Sequence, residues 1–343
     1  MKTFGWGVVG PGKIAHQFAE AVQRSPGMRL ASVAGRDHAR ASTFAARWAH
    51  DRGPAHAAAG LEAMLADPAV DAIYVATPHA FHADAVRRAL EAGKPVLCEK
   101  PLVPDLASGM ELVELARHRR VFLMEAVWTR YLPIYGVVAR WLREGAIGHV
   151  RAIQSSFCFN LPFDAASRAY DPAQAGGALL DIGIYNLTMT RWAMQAATGA
   201  CPTLESFQAR ATLAPTGVDQ RLSATLELAG GVVSQFICGF DTTADNALRI
   251  LGEEGSIVVP AQFWQATHAR LRVANGAEFT EARPFRVNGF EYEIEDAVQL
   301  IRSGALESPT IPLDETLETL RWMDRIRAQV GVRYPFEAAL EPA

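Results

Sequence analysis

Only four cysteines occur in the chain, Cys98, Cys158, Cys201 and Cys238. They are widely separated and lack CxxC spacing, which argues against a disulfide framework or a zinc site and leaves free buried thiols as the expectation. Long apolar runs are missing too, for no window approaches the length that spans a bilayer. Charge of one sign is not in excess: 33 Lys and Arg stand against 37 Asp and Glu, a net charge of -4, with both signs scattered. There is neither a basic stripe for nucleic acid nor a polybasic anchor for a membrane. The first residues, Met1-Lys2-Thr3-Phe4-Gly5-Trp6, run at once into a strand pattern, leaving no room for a signal peptide. The expectation is a soluble, cytoplasmic protein. What the chain does have is apolar content, half of 343 residues, enough for two sizeable cores.

Phe4 to Val9 reads as a strand, followed by Gly10-Pro11-Gly12-Lys13-Ile14-Ala15 in the form GxGxxA. Ile14, Phe18, Ala21 and Val22 then recur at helical spacing, so the turn opens a helix that packs one face on the sheet. Phosphates suit this arrangement: glycines allow close backbone approach, and free amides at the helix start carry partial positive charge. Strand, turn, helix and further β-α units together favour dinucleotide binding over a structural turn.

The second strand, Leu30 to Ala34, ends at Gly35-Arg36-Asp37. NAD wants a carboxylate here for the ribose hydroxyls, whereas NADP wants a cation for the 2′-phosphate. Gly35 takes the acidic position and Arg36 follows, so NADP is favoured and NAD is the alternative. Asp37 would repel the phosphate unless it turns away to cap the next helix, Ala39 to Trp48; equally, Arg36 could be an ordinary surface residue. After an alanine-rich stretch without clear pattern, the strand Asp71 to Ala76 closes on Thr77-Pro78-His79. His79 and His82 permit metal ligation, but no carboxylate or cysteine completes a set, and capping or cofactor contact explains both. No metal is expected.

Lys94-Pro95-Val96-Leu97-Cys98-Glu99-Lys100-Pro101-Leu102 is the next strand. It ends on an ionisable pair, and Pro101 pushes Lys100 into an extended conformation. In an open parallel sheet ligands sit beyond such carboxyl ends. A solvated lysine after a strand is the alternative. The helix Leu106 to Arg117 and strand Val121 to Glu125 complete a doubly wound α/β domain over residues 1–125, a Rossmann-type parallel sheet.

From residue 126 to 343 the pattern becomes α+β. A helix opened by Pro133 precedes long strands at Val150-Phe159, Ser206-Leu213, Leu222-Leu228 and Val232-Phe240, with shorter ones near 247–251, 257–259 and 271–273. They predict a large, mostly antiparallel sheet. Gly230-Gly231 makes a tight reversal. If the sheet's second face is apolar it needs a partner, and a homodimer through it is expected. Within this domain Ala175-Gly176-Gly177 leads into a helix on which Asp181 and Tyr185 stand four apart, hence on one face. A carboxylate and a phenol facing a cleft suit acid/base work; a helix cap and a core tyrosine are the alternative.

Taken together, GxGxxA at Gly10 to Ala15, Thr77-Pro78-His79 with His82, Glu99-Lys100-Pro101, and Gly176-Gly177 to Asp181-x-Gly183-x-Tyr185 resemble the glucose–fructose oxidoreductase, inositol dehydrogenase and rhizopine-catabolism (Gfo/Idh/MocA) family. The resemblance runs over essentially the whole length. Met124-Glu125-Ala126-Val127-Trp128-Thr129-Arg130 and Tyr185 are most similar to the branch of dimeric dihydrodiol dehydrogenases and NADP-linked D-xylose dehydrogenases. The resemblance implies that Lys100 and Tyr185 act on the reacting oxygen and that Asp181 orients the substrate. It implies cofactor contacts from Gly10, Pro11, Gly12, Lys13, Ile14, Arg36, Thr77, Pro78, His79, His82, Glu99 and Lys100, with Trp128 and Arg168 in the same role. The expected reaction is hydride transfer between NADP and a secondary alcohol or carbonyl of a sugar, polyol or cyclic trans-diol. A nucleotide-sensing regulator without turnover and an NAD-dependent glycoside hydrolase are the rival readings on the same fold.

Overall fold

The computed structural model describes residues 2–49 and 53–337; the parts of the two expected domains at residues 1, 50–52 and 338–343 lie outside these. Contacts divide the chain into two units, Met1–Trp128 with Phe285–Leu320, and Thr129–Pro284 with Arg321–Ala343. Residues 285–320, which the sequence boundary put with the second domain, thus group with the first. Helical periodicity shows that a segment has an apolar face but not which sheet that face covers.

In the first unit the order is β1 (Phe4–Val9), α1 (Lys13–Arg24), β2 (Met28–Ala34), α2 (His38–Arg47), β3 (His56–Ala57), α3 (Leu61–Leu65), β4 (Ala72–Val75), α4 (His82–Glu91), β5 (Val96–Glu99), α5 (Leu106–Arg119) and β6 (Leu123–Ala126). The six strands lie parallel in the order β3-β2-β1-β4-β5-β6. β1 is flanked by β2 and β4, so the strand order reverses there and opens a crevice beyond their carboxyl ends. Every residue of β1, β4 and β5 is buried, as strands covered on both faces require. Beneath the crevice Phe18 of α1 stacks on Tyr74 at 3.7 Å between ring centres and meets Trp6 edge-on at 5.3 Å. Ile14 departs from its expected place: Ala15 packs inward with Phe18 and Val22, and Ile14 is left exposed in the first turn.

The second unit holds α6 (Pro133–Arg143), β7 (Val150–Cys158), α7 (Ile184–Thr198), β8 (Leu204–Leu213), β9 (Asp219–Leu228), β10 (Val232–Gly239), β11 (Leu248–Gly252), β12 (Gly255–Val259), β13 (His268–Val273) and β14 (Glu278–Ala282). Its eight strands run β14-β13-β12-β11-β7-β10-β9-β8, antiparallel except for β7 beside β10. Leu222, Ala224, Leu226 and Leu228 are buried while Ser223 and Glu227 between them are exposed. The covering helix is α7, tied to that inner face by Asn186 Nδ2 to Ser155 Oγ and by Thr190 Oγ1 with Ser234 Oγ, both 2.8 Å. The outer face is not the apolar surface that would demand a partner. It carries Gln154, Arg210, Ser223, Gln235 and Arg249 around a shallow hollow of about 610 Å³. α8 (Phe290–Ser303) belongs to the first unit, and the division falls inside α9 (Leu313–Val330). Among the described residues no helix is long and apolar enough to cross a membrane. Among the described residues the four cysteines form no disulfide, and Cys201 is half-buried where full burial was expected.

Candidate functional site

The glycine turn fits a dinucleotide in a way that backbone geometry makes plain. Gly10 has φ +92°, and a Cβ there would meet Ala76 O at 2.8 Å and Thr77 N at 2.9 Å. Only glycine lets the turn lie this close to the end of β4. α1 starts at Gly12 with no side-chain cap and no acidic residue in its first turn, so its leading amides keep their partial positive charge for an anion. At the end of β2, Asp37 spends a carboxylate oxygen on Ala39 N and Arg40 N, 2.9 and 3.2 Å, as the cap of α2. It is turned to that task, while Arg36 is exposed with its guanidinium over the Phe81 ring at 5.5 Å. The hydroxyl of Thr77 at the end of β4 is buried with no hydrogen-bond partner. A buried polar atom left open in a crevice mouth suits a ligand's polar group.

His82 does something other than face a cofactor with a free nitrogen. Its Nδ1 lies 2.9 Å from Pro101 O and its Nε2 2.8 Å from Thr77 O, so both ring nitrogens face backbone carbonyls and a neutral ring donates to one of the two at a time. Burial lowers its pKa, and the carbonyls oppose that shift. The ring ties the end of β4 to the turn after β5. His79 is buried beside it, ring centres 5.9 Å apart.

That second turn carries Lys100, whose bond to Pro101 is cis and whose side chain is half-buried. The backbone just after it is gripped from both sides. His82 holds Pro101 O, and Glu125, at the end of β6, accepts Leu102 N at 2.9 Å with one oxygen and Thr316 Oγ1 at 2.9 Å with the other. Glu125 is 2% exposed, and burial raises its carboxyl from 4.5 to about 7. Glu99 accepts the Tyr74 hydroxyl at 2.5 Å; burial first, then the neighbouring Glu99, pushes that phenol well above its usual range. Trp128 is stacked on Phe290 at 4.7 Å.

In the second unit, Asp181 stands not in a regular helix but in a π-turn over Leu179–Gly183, and Tyr185 follows in the first turn of α7. A widened turn of this kind leaves no mark in apolar periodicity and is frequent at functional sites. Arg168 pairs with Asp181, Nη1 and Nη2 each 3.2 Å from Oδ1, so in this unit the arginine's partner is the carboxylate. Tyr185 is 7% exposed and its ring lies 5.6 Å from Phe157, which stacks on Trp264 at 3.4 Å. Phe157 and Trp264 form an aromatic wall beside the phenol that the sequence did not single out. Glu125 and Asp219 also went unnoticed as site residues. For Glu125 the cue was a charged residue inside the apolar strand β6; Asp219, at the polar start of β9, carried none.

Similarity to known proteins agrees with this geometry. The profile described as "Oxidoreductase family, NAD-binding Rossmann fold" matches residues 4–127, and a GFO/IDH/MocA C-terminal domain matches 135–258. The human trans-1,2-dihydrobenzene-1,2-diol dehydrogenase is 34% identical over 337 residues, covering 96% of this chain and 98% of the human one. A 3-ketoreductase from Actinomadura kijaniata, solved with NADP and TDP-benzene, is similar in structure with a TM-score of 0.83 and 27% identity over 96% of this chain and 98% of its own. An aldose-aldose oxidoreductase from Caulobacter crescentus, at 22% identity over 96% and 98% of the two chains and a TM-score of 0.83, shares the fold. The chain belongs to the GFO/IDH/MocA family of oxidoreductases, with an NAD-binding Rossmann fold at its head.

Proposed function

We propose that this protein is an NADP-dependent dehydrogenase or reductase acting on a secondary alcohol or carbonyl of a cyclic diol, sugar or polyol. The observation that carries the reading is the grip on the turn after Lys100: two buried side chains, His82 and Glu125, fix Pro101 and Leu102, the residues that follow this lysine at a strand's carboxyl end. The turn at Gly10, Pro11, Gly12, Lys13 and Ile14 would hold the pyrophosphate, Arg36 the 2′-phosphate, and Thr77, Pro78, His79, Glu99 and Trp128 the nicotinamide side. Bound nicotinamide supplies the hydride acceptor, or in reverse the donor. In the first unit the Lys100 ammonium would stabilise negative charge developing on a substrate oxygen, and in the second Tyr185 would take the hydroxyl proton. Asp181, steadied by Arg168, orients a neighbouring hydroxyl, and Phe157 with Trp264 offers a flat apolar face to a ring.

The capping role of Asp37 favours NADP, since the carboxylate that would repel a 2′-phosphate is occupied with α2. Arg36→Glu should weaken NADPH binding about tenfold or more while leaving NADH within about twofold, measured by quenching of protein fluorescence. Equal losses for both nucleotides would remove Arg36 from phosphate recognition. The redox assignment is tested by following nicotinamide absorbance against a panel of sugars and trans-diols. Net oxidation or reduction is expected; hydrolysis without net redox change, or nucleotide binding alone, would contradict it. As oligomer we propose a homodimer through the outer face of the eight-stranded sheet. Arg210 lies there beside the Arg249–Asp245 pair, a polar face of mixed charge, and interfaces need not be more apolar than other surface. Light scattering after gel filtration should give twice the chain mass, and a monomer would overturn it.

A further inference from the structure

Gly177 lies two residues before the π-turn that bears Asp181 and leads to Tyr185, and a buried side chain of the second unit is aimed at that entry. Asp219, the first residue of β9 and 1% exposed, accepts Leu179 N with Oδ2 at 2.6 Å. Its other oxygen, Oδ1, is buried with no hydrogen-bond partner among the described residues and lies so close to Gly177 that a Cβ there would sit 2.2 Å from it. Gly177 also has φ +116°, where only glycine is comfortable. The turn is therefore moulded around the carboxyl group. Tyr334 fastens the preceding residue, its hydroxyl donating to Gly176 O at 2.7 Å.

The two protonation states of Asp219 do not fit this pocket equally. The neutral acid keeps Oδ2 for the Leu179 amide and brings no charge into the buried site, whereas the carboxylate is a buried charge with one oxygen that no donor meets.

We propose that Asp219 is a positioning residue for Tyr185 and Asp181: neutral, it holds the π-turn in its working conformation, and ionised, it loosens the start of that turn. Burial raises this carboxyl from 3.8 to about 7, against pulls from the Leu179 amide and Arg327, which places the change in the neutral range. The other titratable groups facing it do not change charge there. Burial and Asp219 push both the Cys238 thiol and the Tyr334 phenol well above their usual ranges. Arg327 stays cationic, paired with Asp324 at 2.7 Å and Glu337 at 2.6 Å.

The inference rests on the catalytic assignment of Tyr185 and Asp181 made above, so its test includes a readout that needs no turnover. In the wild-type enzyme with NADPH bound, amide hydrogen exchange over residues 177–183, corrected for intrinsic rates, should become several-fold less protected as pH rises through about 7. Asp219→Asn should show no such step. Its kcat should lose the fall near pH 7 that the wild type shows, with the KM for NADPH unchanged within about twofold, because the amide stays neutral and acts on the turn and not on the nucleotide site. Flat wild-type protection across this range overturns the proposal, as does a pH limb that survives in Asp219→Asn. Should that variant fail to fold, the wild-type exchange result decides alone. If Tyr185→Phe retained full turnover, the redox assignment would fall while the exchange step stood unaffected.

Discussion

Each unit steadies its reactive segment with one buried carboxyl group, and the two groups differ in a single respect. Glu125 grips the amide of Leu102, two residues after Lys100, and Asp219 grips the amide of Leu179, two residues before Asp181. Burial raises both to about 7. Glu125, however, has Thr316 Oγ1 on its second oxygen, whereas the second oxygen of Asp219 faces Gly177 with no partner. A threonine hydroxyl can rotate, accepting a proton from the neutral acid as readily as it donates to the carboxylate. Glu125 can thus change charge without disturbing the Lys100 turn, and Asp219 cannot do the same for its own turn. Similar burial produces a tolerant anchor in one place and a sensitive one in the other.

The sharpest way to break this comparison is to remove the tolerant anchor. Glu125→Ala strands the Leu102 amide and the Thr316 hydroxyl and should cost about 3 kcal/mol in chemical denaturation, with Lys100-dependent turnover lost alongside. A cost below about 1 kcal/mol would show that the grip on Leu102 is dispensable. Of similar size is the linkage effect. A carboxyl raised from 4.5 to about 7 contributes stability at low pH that is lost as pH climbs through about 7, roughly 3 kcal/mol in all. Glu125→Gln should therefore flatten the fall in stability between about pH 4.5 and 7 relative to wild type, yet leave the pH profile of kcat unchanged. A shifted kcat profile would mean that Glu125 is as sensitive an anchor as Asp219. The smallest effect is the most discriminating. Thr316→Val removes the rotating hydroxyl and should cost only about 1 kcal/mol. It should also give the Lys100 turn a pH-dependent hydrogen-exchange step of the kind expected at Gly177, and its absence would undo the explanation offered for the difference.

How much of this could be read from the sequence depended on the separation of the partners. The glycine turn, the Glu99-Lys100-Pro101 strand end and the capping role of Asp37 are local arrangements whose residue types imply their geometry within a few positions. The alternation in β9 likewise announced a half-covered sheet. The anchors were not visible: Glu125 meets Thr316 across 191 positions and Asp219 meets Leu179 across 40, and no spacing rule links such pairs. β3 has two residues, and β14, the sequence Glu278-Phe279-Thr280-Glu281-Ala282, is an edge strand with hardly any buried face, so neither carries a readable apolar period. Asp181 and Tyr185 were singled out by their spacing and then by resemblance to the family, but the π-turn before Tyr185 and the aromatic wall of Phe157 and Trp264 emerged only from packing.

The central claim is that a lysine fixed at the end of β5 takes part in chemistry rather than in nucleotide binding. Rapid-mixing measurement of hydride transfer in Lys100→Met, with NADPH affinity titrated on the same preparation, tests it most directly. The account predicts a fall of about a thousandfold or more in the transfer rate with affinity within about threefold of wild type. A transfer rate within about tenfold of wild type, or a loss explained wholly by weaker NADPH binding, would contradict it.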